Sequence, residues 1–283
     1  MNSRQAPSEE QAALWNGDSG RAWVDVQPVL DRLFKPFENR LVDAVRARRA
    51  RSVLDVGCGT GATTLAIARL LGTSGRCLGV DISEPMLFLA RARADLEQVP
   101  ATFVLADAES YAFEPGSCDM IVSRFGIMFF ADAVRAFTNL RRAARAGAAL
   151  CLVAWRSPAE NPFMTTAESA AAPLFPNMPP RRPDGPGQFA WADRARVEAI
   201  LEQSGWATID VQRIDVPLVL AEKDLDLYIT RLGPLGRMLA EVDEPVRAGV
   251  LAKVRRAFDR YLHGDEVRFD AACWMISAQS SVA

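Results

Sequence analysis

The stretch Val53-Leu-Asp-Val-Gly-Cys-Gly-Thr-Gly61 decides the fold of this chain of 283 residues. It begins inside a short apolar run, residues 52–56, that is typical of a buried strand, and it leads into residues 60–71, which have helical character. Alternate glycines in such a turn let the backbone approach a ligand closely and adopt positive φ angles that a Cβ atom would penalise. The order of strand, glycine-rich turn and helix predicts one unit of an α/β nucleotide-binding sheet.

Strands and helices continue to alternate after this unit. Further strands are predicted at residues 76–80, 102–105, 119–123 and 149–155, and helices at residues 84–97 and 132–145. This alternation is typical of a doubly wound parallel sheet with right-handed crossovers and helices on both faces. Ligands of such sheets bind beyond the carboxyl ends of the strands.

The remaining segments are predicted to frame this core. Proline and glycine punctuation divides the chain into helices and loops around the sheet. The expected organisation is an N-terminal helical flap at 1–50, the core at 51–156, a proline-rich lid insertion at 157–190, more of the core at 191–221, a helical cap insertion at 222–263 and a final strand at 264–283.

Composition argues against several classes of protein. With 33 basic and 35 acidic residues the net charge is −2, so the chain has no overall positive potential that would attract nucleic acid. The five cysteines are widely spaced and the acidic residues lack ligand spacing, so reduced core thiols and no metal site are expected. The first twenty residues have no apolar core segment, and no run approaches eighteen apolar residues. We therefore expect a cytoplasmic protein without a membrane span.

The carboxylate at the head of the glycine turn narrows the kind of ligand. Asp55 would repel a pyrophosphate, which dinucleotide-binding loops hold at the helix N-terminus. The spacing of Gly57, Gly59 and Gly61 is GxGxG, whereas the dinucleotide fingerprint is GxGxxG. S-adenosylmethionine carries no phosphate but has an ammonium and a sulfonium group, which a nearby carboxylate favours. The turn therefore favours this cofactor.

Two more carboxylates follow the next two strands. Asp81 ends the second strand, where a carboxylate can accept hydrogen bonds from both ribose hydroxyls. Asp107 follows the third strand and is placed to accept a hydrogen bond from an adenine amino group, while Ile82 and Met86 could pack against the ring. The alternative for each isolated Asp is a capping role in the following segment. Three carboxylates at successive strand ends favour the binding site.

Other segments of the core carry a family resemblance. They read Gly79-Val-Asp-Ile-Ser83, Ala106-Asp-Ala-Glu109, Asp119-Met-Ile-Val-Ser-Arg124 and Leu140-Arg-Arg-Ala-Ala-Arg-Ala-Gly147. With residues 53–61 they resemble the motifs of class I S-adenosylmethionine-dependent methyltransferases, particularly the branch around the ubiquinone/menaquinone biosynthesis methyltransferases. The resemblance implies S-adenosylmethionine as cofactor, S-adenosylhomocysteine as product, and a Rossmann-like sheet of seven strands whose last strand is antiparallel.

Site residues follow from these motifs and from the aromatic residues around them. The candidates for binding the cofactor are Trp15, Trp23, Asp55, Gly57, Cys58, Gly59, Asp81, Ile82, Met86, Asp107, Ala108 and Arg124. The candidates for the substrate pocket are Met128, Phe129, Trp155, Phe163 and Phe189. Core packing is the alternative for each aromatic residue. A pocket lined in this way favours an apolar or aromatic small-molecule acceptor.

The sequence does not single out a general base. Methyl transfer from a sulfonium is an in-line displacement that mainly needs alignment and exclusion of water, and it needs no metal. The candidates for a catalytic role are His263, Asp132 and Tyr111, with Tyr228 a further one. The alternatives to a methyltransferase are an NAD(P)-dependent oxidoreductase and a non-catalytic S-adenosylmethionine-binding protein. The acceptor, the methylated atom and the oligomeric state, with a homodimer as one option, stay open.

Overall fold

A computed structural model describes residues 7–175, 178 and 185–281. The N-terminal segment forms four helices, whereas its apolar spacing, interrupted at residues 16–20 and at Pro28, predicts two or three. The boundary before Pro28 is a predicted break and the one before Pro36 is additional, because proline is favoured in the first turn of a helix and lacks the N–H that a helix interior needs. The helices are α1 (Pro7–Asn16), α2 (Asp18–Asp25), α3 (Gln27–Leu33) and α4 (Lys35–Arg48).

The central part of the chain follows the predicted alternation. Its elements are β1 (Ser52–Val56), α5 (Ala62–Leu71), β2 (Arg76–Asp81), α6 (Glu84–Leu96), β3 (Ala101–Leu105), β4 (Cys118–Arg124), α7 (Ala133–Ala143) and β5 (Ala144–Trp155). The predicted last helix of this part ran to residue 145, which is two residues too far. Ala144 has extended backbone angles (φ −77°, ψ 128°), so β5 begins there without a loop.

The second half adds the cap and completes the sheet. Its elements are α8 (Pro162–Ala171), α9 (Arg194–Gln203), β6 (Trp206–Ala221), α10 (Leu225–Arg231), α11 (Gly233–Ala240), α12 (Glu244–Arg256), β7 (Leu262–His263) and β8 (Glu266–Ser280). Part of the predicted lid insertion, residues 176–177 and 179–184, lies outside the described residues.

The sheet has the order β3-β2-β1-β4-β5-β8-β6. The first five strands are parallel, and β8 runs antiparallel to both β5 and β6. This confirms the doubly wound α/β sheet with an antiparallel last strand. The two-residue strand β7 pairs with β8 and was not predicted. Because the five parallel strands share one direction, their carboxyl ends meet at one edge, where the glycine turn and both aspartates lie.

Helices on both faces bury the central strands. Ile121, Val122 and Leu152 are fully buried at the middle of the sheet. All five cysteines are buried and free, as predicted, and burial raises the pKa of Cys118 and Cys151 to about 12, so these thiols stay protonated. Within the described residues, no helix combines the length and the apolar character that crossing a bilayer requires.

Candidate active site

A cavity of about 1290 Å³ opens beyond the carboxyl ends of the parallel strands. Two parts of its wall differ in chemistry. We call the wall formed by the glycine turn and the ends of β2, β3 and β4 the strand end, and it presents Gly57, Gly59, Asp81, Asp107 and Arg124. We call the wall formed by α8, α10 and α11 the cap end, and it presents Phe163, Met164, Tyr228, Leu235 and Leu239.

The glycine turn needs its glycines for both conformation and space. Gly57, Gly59 and Gly61 have φ angles of +66°, +55° and +83°, which residues with a Cβ rarely adopt. A Cβ on Gly57 would lie 2.5 Å from the Cα of Gly126, so the turn packs directly against the loop after β4. The Gly57 N–H donates to the carbonyl of Val80 (2.8 Å), which holds the turn over the end of β2.

Asp55 lies beneath this turn rather than in the cavity wall. Its side chain is 1% exposed, and it accepts a hydrogen bond from the hydroxyl of Thr64 at 2.6 Å. Burial raises the pKa of Asp55 to about 7, against the opposing effects of the Thr64 hydrogen bond and the charge of Arg124. The leading carboxylate of the turn is therefore poised between its neutral and charged forms near neutral pH.

Asp81 and Asp107 lie in the wall of the strand end. The Asp81 carboxylate accepts the N–H of Gly59 (2.7 Å) and of Ser83 (2.9 Å), and burial raises its pKa. Asp107 accepts the N–H of Glu109 at 2.9 Å. Each aspartate thus shapes the turn that follows it and also lines the cavity, so the capping role is observed and the binding role stays a prediction. A carboxylate has about four acceptor positions, which leaves room for ligand donors.

Arg124 supplies a cation at the same wall. It is the last residue of β4, and its guanidinium lies 5.9 Å from the ring centroid of Phe34. Its Nη1 atom is buried and has no hydrogen-bond partner among the described residues. Burial lowers the pKa of Arg124, while the nearby carboxylates of Asp31 and Glu38 favour the charged form. A buried guanidinium nitrogen without a partner is costly, so this atom is suited to an anionic ligand group.

Aromatic rings form the wall between α1, α2 and the loop after β4. The ring of Trp15 contacts that of Trp23 edge-on, with centroids 6.2 Å apart, and that of Phe129 at 4.9 Å. Phe125 stacks on Trp155 with centroids 4.4 Å apart and an interplanar angle of 4°. These rings all line the cavity, which therefore has a flat apolar floor next to a polar wall.

The cap end is also apolar. Phe163 is almost completely buried and stacks on Phe269 with centroids 3.5 Å apart, while the Tyr228 hydroxyl donates to Sδ of Met164 at 3.5 Å. Sequence reasoning missed most of this wall. The residues that it missed come from the helical insertion and are Ile229, Leu232, Leu235 and Leu239. Their helical spacing was visible, but nothing in it distinguishes a cavity wall from helix packing.

Glu109 is a further residue of the cavity wall that the sequence analysis left without a role. It is buried and accepts hydrogen bonds from the backbone of Ala131 (at 2.5 Å) and Asp132 (3.1 Å), and Arg135 pairs with it at 3.1 Å. These contacts hold the loop after β4 against the loop after β3. Only its place in the quoted motif singled it out beforehand.

Most of the predicted site residues come together in this cavity. Ten of the twelve cofactor candidates line it, and Asp55 and Cys58 lie behind the wall. All five substrate-pocket candidates line it: Met128, Phe129, Trp155, Phe163 and Phe189. These positions agree with the predicted roles, which themselves stay predictions.

Three of the four catalytic candidates lie elsewhere among the described residues. His263 is exposed in β7, where it pairs with Glu266. Asp132 caps α7 by accepting the N–H of Arg135 at 2.9 Å, and the Tyr111 ring packs edge-on against Phe113. None of these three positions is in the cavity wall, whereas the fourth candidate, Tyr228, lines the cavity at the cap end.

Comparison with known proteins agrees with this geometry. Residues 53–147 match the family model described as a methyltransferase domain. The chain is 24% identical over 200 residues to the ubiquinone/menaquinone biosynthesis C-methyltransferase UbiE of Escherichia coli, covering 67% of this chain and 78% of that protein. It is 36% identical over 100 residues to nocamycin O-methyltransferase of Saccharothrix syringae, covering 35% of this chain and 36% of that protein.

The fold has solved counterparts. The crystal structure of the YcgJ protein from Bacillus subtilis superposes with a TM-score of 0.57 at 18% identity, and the match covers 87% of this chain and 98% of that one. Among the curated relatives, two matches with more than 30% identity span only 41% and 36% of those proteins' own lengths. The matched motifs, the sheet order and the family model agree, so residues 53–147 form a methyltransferase domain of the class I, S-adenosylmethionine-dependent type.

Proposed function

We propose that this chain transfers the methyl group of S-adenosylmethionine to an apolar or aromatic small molecule bound at the cap end of the same cavity. The observation that carries the proposal is the buried Nη1 of Arg124, which has no partner among the described residues and lies in one cavity wall with Asp81 and Asp107. One cation and two carboxylates at successive strand ends complement a ligand that has a carboxylate at one end and hydroxyl and amino donors at the other.

The residues of the strand end fit the cofactor group by group. Arg124 would pair with the carboxylate of its methionine part, because guanidinium groups bind carboxylates with charge-assisted hydrogen bonds. Asp81 would accept from the ribose hydroxyls and Asp107 from the adenine amino group. Ile82 and Met86 also line the cavity beside these aspartates and would pack against the purine ring.

The size of the cavity supports a second ligand. Pockets for one small molecule usually measure about 300–1,000 Å³, and this cavity measures about 1290 Å³. The wall away from the aspartates is apolar, with the stacked pair Phe125 and Trp155 on one side and Phe163 on the other. An apolar acceptor would gain most from burial against such walls.

The chain's own contribution to the chemistry is alignment and exclusion of water. When bound, S-adenosylmethionine would supply an electrophilic methyl group to the acceptor and would leave as S-adenosylhomocysteine. Among the described residues, no histidine lines the cavity. The aromatic walls would hold the acceptor in line and keep solvent out. The acceptor atom is left open, since the relatives include an O-methyltransferase and a C-methyltransferase by name.

Calorimetry tests the cofactor half of this proposal. We expect S-adenosylmethionine and S-adenosylhomocysteine to bind and NADH not to bind. Binding of NADH alone would favour the alternative function, an NAD(P)-dependent oxidoreductase, and would contradict the proposal.

A transfer screen tests the acceptor half. Labelled S-adenosylmethionine would be incubated with quinols, phenols, amines and lipids, with and without EDTA. We expect transfer to an aromatic or apolar member, undiminished by the chelator. Tight cofactor binding without transfer to any acceptor would favour the non-catalytic binding protein, and transfer only to polar amines would contradict the apolar acceptor.

A further inference from the structure

The turn between β2 and α6 is held by two side chains, those of Asp81 and Asn16. From inside the cavity, Asp81 holds the turn by accepting the N–H groups of Gly59 and Ser83. From outside, the same turn is bound by Asn16, at the junction of α1 and α2. The residues that would contact a bound ribose and the residues that hold the N-terminal helices are therefore one short segment, residues 81–84.

Asn16 caps helix α6 from another part of the chain. The first N–H groups of a helix have no partner within it and need an acceptor. The N-cap residue of α6, Ser83, does not supply one, because its hydroxyl donates to the carbonyl of Trp15 at 2.6 Å. Instead, Oδ1 of Asn16 accepts the N–H of Glu84 at 2.9 Å, and Nδ2 of Asn16 donates to the carbonyl of Ile82 at 2.9 Å.

The approach of the two segments is close and leads into the cavity wall. A Cβ on Gly20 would lie 1.9 Å from the carbonyl oxygen of Trp15 and 2.9 Å from Oγ of Ser83, so only glycine fits there. Trp15, next to Asn16, contributes its ring to the cavity wall and contacts Trp23 and Phe129. The position of the Trp15 ring thus depends on the contacts of its neighbour with the turn.

We propose that Asn16 is a positioning residue that couples cofactor binding at Asp81 to docking of residues 7–25 against the cavity. This inference rests on the proposed function, because it takes the ligand at Asp81 to be the cofactor. A ligand that fixes residues 81–84 also fixes the acceptor and donor atoms that Asn16 uses. By linkage, docking of the helices then strengthens ligand binding by the same factor.

The test uses Asn16→Ala in the full chain, with Gln212→Ala as control. Gln212 is exposed on β6, and its amide contacts Asp210, remote from the turn. Two readouts are needed: the affinity for S-adenosylhomocysteine by calorimetry, and amide hydrogen exchange of peptides from residues 7–25 and 53–61 with and without that ligand. The exchange readout reports docking directly and does not depend on turnover.

We expect the ligand to slow exchange in both segments of the wild type. In Asn16→Ala the ligand should bind about tenfold more weakly, because both hydrogen bonds between Asn16 and the turn are lost, and at saturation it should protect residues 53–61 but not residues 7–25. Gln212→Ala should behave as the wild type. Asn16→Asp keeps an oxygen for the Glu84 N–H, so it should recover part of the affinity and of the protection.

Three outcomes would overturn the coupling. In the first, the bound ligand protects residues 7–25 equally in the wild type and in Asn16→Ala. In the second, it protects only residues 53–61 in the wild type. In the third, Asn16→Asp is no better than Asn16→Ala. A wild type that does not bind S-adenosylhomocysteine at all would overturn the proposed function and this coupling with it, so the two failures are distinguishable.

Discussion

The strand end and the cap end of the cavity present their side chains in different ways. At the strand end, polar groups are fixed by backbone hydrogen bonds, as when Asp81 accepts the N–H groups of Gly59 and Ser83. At the cap end, rings are fixed by packing, as when Phe163 stacks on Phe269. Burying charged groups at the strand end costs electrostatic free energy in the ligand-free protein. The cap end has almost no such cost, because its side chains are apolar. Substitutions at the two ends should therefore affect different observables.

The largest expected effect concerns Asp55, below the strand end. Its pKa in the folded chain is raised from 3.8 to about 7, so the folded state binds the extra proton between these values. The stability that this provides is present below pH 4 and is lost as the pH rises through about 7. A shift of this size corresponds to about 4 kcal/mol. We expect Asp55→Asn to raise the free energy of unfolding of the ligand-free chain at pH 8 and to reduce its fall between pH 4 and 7.

Denaturant unfolding of the wild type and of Asp55→Asn at several pH values measures this pH dependence of the free energy of unfolding. Some fall should persist in Asp55→Asn, since burial also raises the pKa of Asp81 and of Glu109. Asp132→Asn is the control, because Asp132 is an N-cap outside the cavity wall. The variant should also bind S-adenosylmethionine more weakly, having lost a charge that favours the ammonium and sulfonium groups. An unchanged pH profile would show that the strand end carries no such cost.

Arg124→Met separates binding from stability at the strand end. Losing charge-assisted hydrogen bonds to a ligand carboxylate should weaken S-adenosylhomocysteine binding about 100-fold. The ligand-free chain should keep its melting temperature or gain a few degrees, because an apolar side chain replaces a buried guanidinium with an unpartnered nitrogen. The nearby carboxylates retain partners, since Asp31 pairs with Arg93, Glu38 with Lys35, and Asp55 accepts the hydroxyl of Thr64.

Calorimetry and thermal unfolding check both halves of that prediction. Arg194→Met is a suitable control, because Arg194 pairs with Glu198 from an exposed position on α9, outside the cavity wall. A large fall in the melting temperature of Arg124→Met with unchanged affinity would make Arg124 a structural cation. The contrast between the two ends would then lose its main support.

Phe163→Leu is the corresponding change at the cap end. It keeps an apolar side chain but removes the stack on Phe269, which should lower the free energy of unfolding by about 1 kcal/mol. Affinity for S-adenosylhomocysteine should stay within twofold of the wild type, whereas the KM for an apolar acceptor should rise severalfold. Calorimetry and steady-state kinetics measure the two quantities. An equal loss of cofactor affinity would mean that the two ends are not separate subsites.

The same contrast explains what could be predicted from sequence. The strand end is built from residues 53–124, where each side chain follows its own strand directly, so the order of strands places Asp81 and Asp107 at one edge. The cap end joins α8 to α10 and α11, which are far apart in the chain. Nothing local in the helical insertion indicates which of its faces meets Phe163, and that choice is made by tertiary packing.

Asn16 shows the same limit at the N-terminus. Its sequence context, before Gly17 and Asp18, indicates only a break between helices. Its role as the cap of α6 depends on how α1 and α2 pack on the sheet, which no periodicity specifies. Asp55 is the opposite case, because its place at the head of the turn predicted a special carboxylate. The extent of its burial emerged only with the packing of α5 above it.

The smallest expected effect is that of His263→Ala, and it tests where the chemistry lies. His263 is exposed in β7, which pairs with the start of β8, and it is outside the cavity wall. A group so placed has no route to a proton of an acceptor held between Trp155 and Phe163. We expect turnover, cofactor affinity and melting temperature to match the wild type. A large loss of turnover with intact cofactor binding would show that His263 is the general base. The acceptor site would then lie away from the cap end.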